Sequence, residues 1–263
     1  MALAVSTMPR QARRTKVDPA WTLGGAMDAD SLCAVGQRAR ASRLQNDRVK
    51  ALRQYGPAPS LRGDFARCAI DLACEHHSAI IRLVCTGEYG SAAALLRPLL
   101  EASSSASWLL YVASCDRVRE LATDVETAEG RRRDLPLLDE LARGLEPTFP
   151  LIKTLVDGLK DRGPATWLHK YTHGGTAQLV RRAPGWSEGE VLLLLLRADL
   201  FAIVAAAHET VIEANADLST YAFGRRDDLG DELFCLFGVG PVPQQQHELP
   251  PPLRDGCGAP FSG

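Results

Sequence analysis

The stretch from Val191 to Ala207 limits the fold more than any other part of the chain. A helix over it would be apolar on every side, and such a helix belongs in the middle of a protein or in a bilayer. Arg197 and Asp199 interrupt it, and it is shorter than the roughly 20 residues that cross a membrane. The stretch therefore predicts a buried central helix with no membrane span, and other helices must surround it. Ser187 and Glu190 have capping-box spacing just ahead, so the helix is expected to run from there to Ala216 as the longest in the chain.

The remaining sequence supplies those other helices. Alternation of β-branched residues never persists, whereas Ala, Leu, Arg and Glu recur at the helical period. The fold class that follows is all-α, a multi-helix bundle. A polar first helix spans Asp28 to about Gln54 and ends at Gly56, Pro57 and Pro59. Leu61–Thr86 and Ser91–Ser114 flank the short connection Gly87–Gly90, so they form an antiparallel hairpin at the core. Asp116–Glu129 is amphipathic and closes on Arg131–Arg133, while Leu135–Leu145, Leu151–Asp161 and Pro164–His173 are shorter helices. Gly174 and Gly175 stop the last of these, and Leu218–Phe237 closes the domain.

The ends read differently. Residues 1–26 carry Arg10, Arg13, Arg14 and Lys16 without helical apolar spacing, which predicts a disordered basic arm and leaves Met27 as an alternative start. Residues 239–263 hold Pro241, Pro243 and Pro250–Pro252 and read as a proline-rich disordered tail. A single helical domain over 27–238 remains. It is long enough to bury a core without staples.

Charge and cysteine usage narrow the class. With 30 basic and 32 acidic residues, net charge −2, no global field draws nucleic acid or acidic lipid, though a local basic patch is allowed. The seven cysteines are odd in number and contain no C-x-x-C pair, as expected of free thiols in a reducing compartment. No apolar leader opens the sequence, so the cytoplasm is the expected location.

Four groups of residues can carry chemistry. Arg97 and Glu101 lie four apart in Arg97-Pro98-Leu99-Leu100-Glu101 and share a helix face. Ala94 and Ser104 would admit a close neighbour and bury the pair, and Pro98 leaves the Ala94 carbonyl without its helical donor. In His169-Lys170-Tyr171-Thr172-His173-Gly174-Gly175 two imidazoles stand one turn apart, able to share a phosphate or a metal or simply to satisfy the last carbonyls. Lys170 occupies the position where a zinc protease needs glutamate, which excludes that class. Adjacent His76 and His77, near Asp71 and Glu75, lack Glu-x-x-His spacing, so one is expected buried and hydrogen-bonded. On the central helix Arg197, Phe201, Val204 and His208 form one stripe with Asp199 on another side. Arg197 needs an anion there, either Glu101 or a bound phosphate or carboxylate. The charges from Arg225 to Glu232 alternate in sign and read as a solvated face.

The segments Gly87-x-Tyr89-Gly90-Ser91-Ala92, Arg97-Pro98-Leu99-Leu100-Glu101 and His169 to Gly175 together resemble a bacterial family of uncharacterised helical proteins over about residues 28–237. That family is similar to HEPN-type bundles, whose active members are metal-independent ribonucleases of stress and phage-defence systems, working as dimers. Their motif sets an arginine and a polar residue a short gap before a histidine. Arg162 to His169 fits the gap, but Gly163 stands in the polar position and Pro164 follows it.

The resemblance implies a cofactor-free site in which His169 or His173 serves as acid or base. Arg162 or Arg197 would hold the phosphate, and Arg97, Glu101, Lys170 and Tyr171 would contribute to binding. RNA or a small anionic ligand is then the partner, and two copies of the chain act together. Two other readings stay open: a non-enzymatic binding or scaffold module with a buried Arg/Glu/His core, and a small-anion or metal pocket between the two histidine pairs.

Overall fold

The computed structural model describes residues 27–123, 134–149, 172, 185–237 and 249–253. Seven helices and no strand occur among the described residues: α1 Ala29–Leu52, α2 Leu61–Cys85, α3 Tyr89–Tyr111, α4 Cys115–Ala122, α5 Leu138–Leu145, α6 Glu188–Ile212 and α7 Ala216–Phe237. The all-α bundle expected from the sequence is the observed architecture. The basic arm, the Leu151–Asp161 and most of the Pro164–His173 helices, and the end of Asp116–Glu129 lie outside the described residues.

Helix ends follow local chemistry. Asp28 caps α1 by accepting from the Ser31 amide at 2.9 Å, and Ser60 and Ser114 cap α2 and α4 in the same way. The turn between α2 and α3 is a Schellman motif. Gly87, at φ +78°, donates to the Val84 carbonyl, and the Glu88 amide reaches back to Leu83 at 2.8 Å. A left-handed residue is needed there, and glycine adopts that conformation without strain. Ser187 and Glu190 form the expected capping box on α6.

α6 ends about four residues before the predicted stop. Asn215 breaks it, because its Oδ1 accepts from the Leu218 amide at 3.0 Å and caps α7, while its Nδ2 donates to the Leu52 carbonyl at 2.8 Å. A side chain that satisfies a new helix start and the end of α1 together outweighs one more turn of α6.

α6 packs against α1, α2, α3 and α7, and α2 lies along α3 as the hairpin requires. Leu194, Leu195 and Leu196 are all at most 2% exposed. Burying each side chain contributes about 1.5–3 kcal/mol, which is set against the entropy of ordering the chain. By length and composition α6 could cross a membrane, but 67% of its most apolar window is buried inside the bundle. Ser103, Ser104, Ser105 and Ser107 with Ala102 and Ala106 keep the second half of α3 narrow, and the Ser103 hydroxyl donates to the Phe201 carbonyl of α6 at 3.1 Å.

Candidate functional site

Three contacts fix how α3 and α6 lie together. Tyr89 meets Trp186 with ring centroids 6.3 Å apart, Ser103 bonds Phe201, and Ser107 bonds His208. The pairs ascend together, so the two helices run parallel, and Arg197 stands level with the Arg97–Glu101 turn. Arg197 is half-buried, and burial pulls its guanidinium below the usual value.

Arg97 Nε donates to Glu101 Oε1 at 2.8 Å, the expected one-turn pair. It is not the buried pair the flanking small residues suggested, since the side chains are 20% and 38% exposed. Glu101 is engaged by Arg97 of its own helix. Pro98 and Glu101 of α3 line a groove of about 650 Å³ together with Leu72 and His76 of α2 and with residues 134–138. Burial lowers the His76 pKa, with Glu75 opposing that shift.

Of the histidine segment, Thr172 is the described residue. Its hydroxyl donates to the Ala94 carbonyl at 3.3 Å. That carbonyl is the one Pro98 leaves without an amide four residues on, so Thr172 bonds α3 where the sequence opens a vacancy in its ladder. His169, Lys170, Tyr171 and His173, like Arg162, lie outside the described residues.

The interior holds charge networks away from this groove. Asp199 is fully buried and accepts from Arg38, from the Ser42 hydroxyl at 2.9 Å, and from His77 Nε2 at 2.7 Å. Arg38 continues to Glu232 at 2.5 Å, and Arg225 joins Glu232 at 3.0 Å and Gln45 at 3.0 Å. The supposedly solvated face of α7 thus turns two of its charges inward to α1. Glu209, 1% exposed, takes Arg53 at 2.9 Å on one oxygen and Arg67 at 2.7 Å on the other. Arg53 also meets Asp71 at 2.7 Å.

Two further groups are structural in geometry. Arg62, 2% exposed, donates to the Leu109 carbonyl and to Ala113 at 2.8 Å, closing the end of α3. His208 gives its Nδ1 proton to the Val204 carbonyl at 2.6 Å, which leaves Nε2 to accept from Ser107 at 3.0 Å. Burial depresses its pKa to about 4. As expected of the adjacent pair, His77 is buried and bonded while His76 faces the groove. Among the described residues no three His, Cys, Asp or Glu side chains gather as a metal site.

Sequence reasoning missed the partners of Asp199 and Glu209. Charged residues inside α6 and buried-face arginines in α1 and α2 were the available signal, but pairing them across more than 140 positions needs the fold.

An all-α bundle with a charged interior and, among the described residues, a largely apolar groove that Glu101 and His76 edge is the class these features define. Within it, residues 70–226 match a family of unknown function, DUF6988, and the chain belongs to that family. No curated protein and no solved structure matches the chain.

Proposed function

We propose that the protein is a cytoplasmic, HEPN-like ribonuclease that works without a metal, with its site at the kinked turn of α3. The observation carrying this reading is the Thr172 hydroxyl on the Ala94 carbonyl, one turn before Arg97. It supports a meeting of the His169–His173 segment with Arg97 and Glu101, at the height of Arg197. One histidine would take the proton from the RNA 2′-hydroxyl as that oxygen attacks phosphorus. The other would protonate the departing 5′-oxygen, leaving a cyclic phosphate and a free hydroxyl. Arg197 would stabilise charge on the phosphoryl oxygens, with Arg97, Lys170 and Tyr171 binding the chain beside it. Glu101 orients Arg97 through their ion pair, and a dimer supplies two such sites.

Wild type and His173→Ala expressed at matched levels, with cellular RNA integrity followed, test this. RNA loss with the wild type alone is expected. Intact RNA at high wild-type expression would sink the nuclease reading, leaving a small anion as the ligand to try.

A second reading, a non-enzymatic scaffold, draws on the engagement of Asp199 and Glu209 by internal arginines. Glu101→Ala separates the two. A half-exposed pair one turn apart contributes only about 0.3–0.5 kcal/mol, so the variant should melt nearly as wild type. RNA cleavage by the wild type that is lost in the variant at unchanged stability supports the site, and no cleavage by either folded protein would favour the scaffold.

A further inference from the structure

The tail contains one described segment, Leu249-Pro250-Pro251-Pro252-Leu253, and it does not behave as a linker. Leu249 packs against the core cluster that includes Trp108, Leu109, Leu110 and Tyr111. The Leu253 amide donates to the Leu110 carbonyl at 3.0 Å. Pro250 and Pro252 are half-buried, whereas Pro251 and Leu253 are exposed.

The chemistry on the two sides is complementary. The last four carbonyls of a helix have no amide partner within it. At the end of α3 the Trp108 carbonyl is met by Val112 and Ala113, and Leu109 by Arg62. Leu110 is met by the tail. Proline carries no amide hydrogen, so between Leu249 and Leu253 the chain has no donor to place. The first amide after the prolines goes to the helix end. A triproline run also holds an extended shape with little entropy left to lose, which favours recognition by one hydrogen bond and a leucine anchor.

We infer that the C-terminal end of α3 is a receptor for a leucine-flanked triproline segment, filled by the chain's own residues 249–253. The receptor lies at the opposite end of α3 from the Thr172 contact and is independent of the nuclease reading. A segment tethered in the same chain competes at an effective concentration in the millimolar range, so the intact protein keeps its receptor closed to other proline-rich chains.

A fluorescent peptide of residues 246–256 tests this against two full-length proteins, the intact chain and Leu249→Asp/Leu253→Pro, whose own tail is released. Saturable binding to the released chain, at least tenfold weaker binding to the intact one, and a further loss of about three- to tenfold when the peptide's Leu253 nitrogen is methylated are expected. No binding to the released chain, or equal binding to both, would overturn the inference. Should the released chain not fold, hydrogen exchange at Leu253 in the intact protein decides. Slowing relative to the free peptide supports the docked tail, and exchange at the free-peptide rate refutes it. A dimer present only in the intact chain would assign the occupant to a second copy and refute docking within one chain.

Discussion

Replacing Asp199 with alanine puts the reading of the interior at greatest risk. The carboxylate is fully buried and serves three donors from two other helices, Arg38 and Ser42 on α1 and His77 on α2. Removing it strands His77, which is 1% exposed, while the buried Ser42 hydroxyl keeps the Arg38 carbonyl at 3.2 Å. Arg38 is better placed, since its side chain is 11% exposed and keeps Glu232 at 2.5 Å. Breaking a buried pair costs about 3–5 kcal/mol, and the retained Glu232 contact argues for the lower end, about 3 kcal/mol. For a domain of this size that lowers the melting temperature by roughly 6–12 °C. Denaturant midpoints at constant slope give the free energy directly. Asp199→Leu combined with Arg38→Met and His77→Leu removes the stranded donors with the acceptor, so it should recover much of the loss. A single Asp199→Ala variant that melts with the wild type would refute the account of this network, and a triple variant that simply added three losses would refute its coupling.

Three other outcomes follow from separate features. Burial holds His208 near 4 when folded against 6.5 when unfolded, so the unfolded chain binds that proton first. Stability should be full above pH 6.5 and fall by up to roughly 3 kcal/mol as pH drops to about 4, with a shallower fall in His208→Gln; identical pH profiles would discard this. A Cβ on Gly63 would meet the Ala58 Cβ at 2.9 Å and Ile212 at 3.2 Å, whereas Gly36 has nothing within 4 Å. Urea titration should therefore show Gly63→Ala destabilised by about 1–2 kcal/mol and Gly36→Ala stabilised by about 0.5–1 kcal/mol. In Arg62 one guanidinium nitrogen serves both the Leu109 and the Ala113 carbonyl and the other reaches Cys115 Sγ at 3.6 Å; Arg62→Lys gives up that planar geometry inside the core, so thermal unfolding should reveal a loss of about 2–3 kcal/mol.

What could be read in the sequence was local. The hairpin at Gly87, the capping box at Ser187, the Arg97–Glu101 pair and the buried member of the two histidines all depend on spacing within a few residues, where helix geometry alone decides. The early end of α6 shows the limit, because Asn215 acts partly through Leu52 of a distant helix. The same limit hid the counter-ions of Asp199 and Glu209 and the inward turn of Glu232. The docked tail was hidden for another reason: proline content marks where a helix cannot continue, but not where an extended segment will lie. The candidate residues between 162 and 173 were legible as a motif, of which Thr172 is the member seen to bond α3.

The matched family region begins at residue 70, well inside α2. Arg38, Arg53 and Arg67 all precede it, yet the two acids they neutralise, Asp199 and Glu209, fall within it. A fragment cut at the profile's edge would leave Glu209 without Arg53 and Arg67 and Asp199 with only His77 of its three side-chain donors, and should aggregate or collapse into a loose globule. The smallest autonomous folding unit therefore has to reach back through the helix that begins at Ala29.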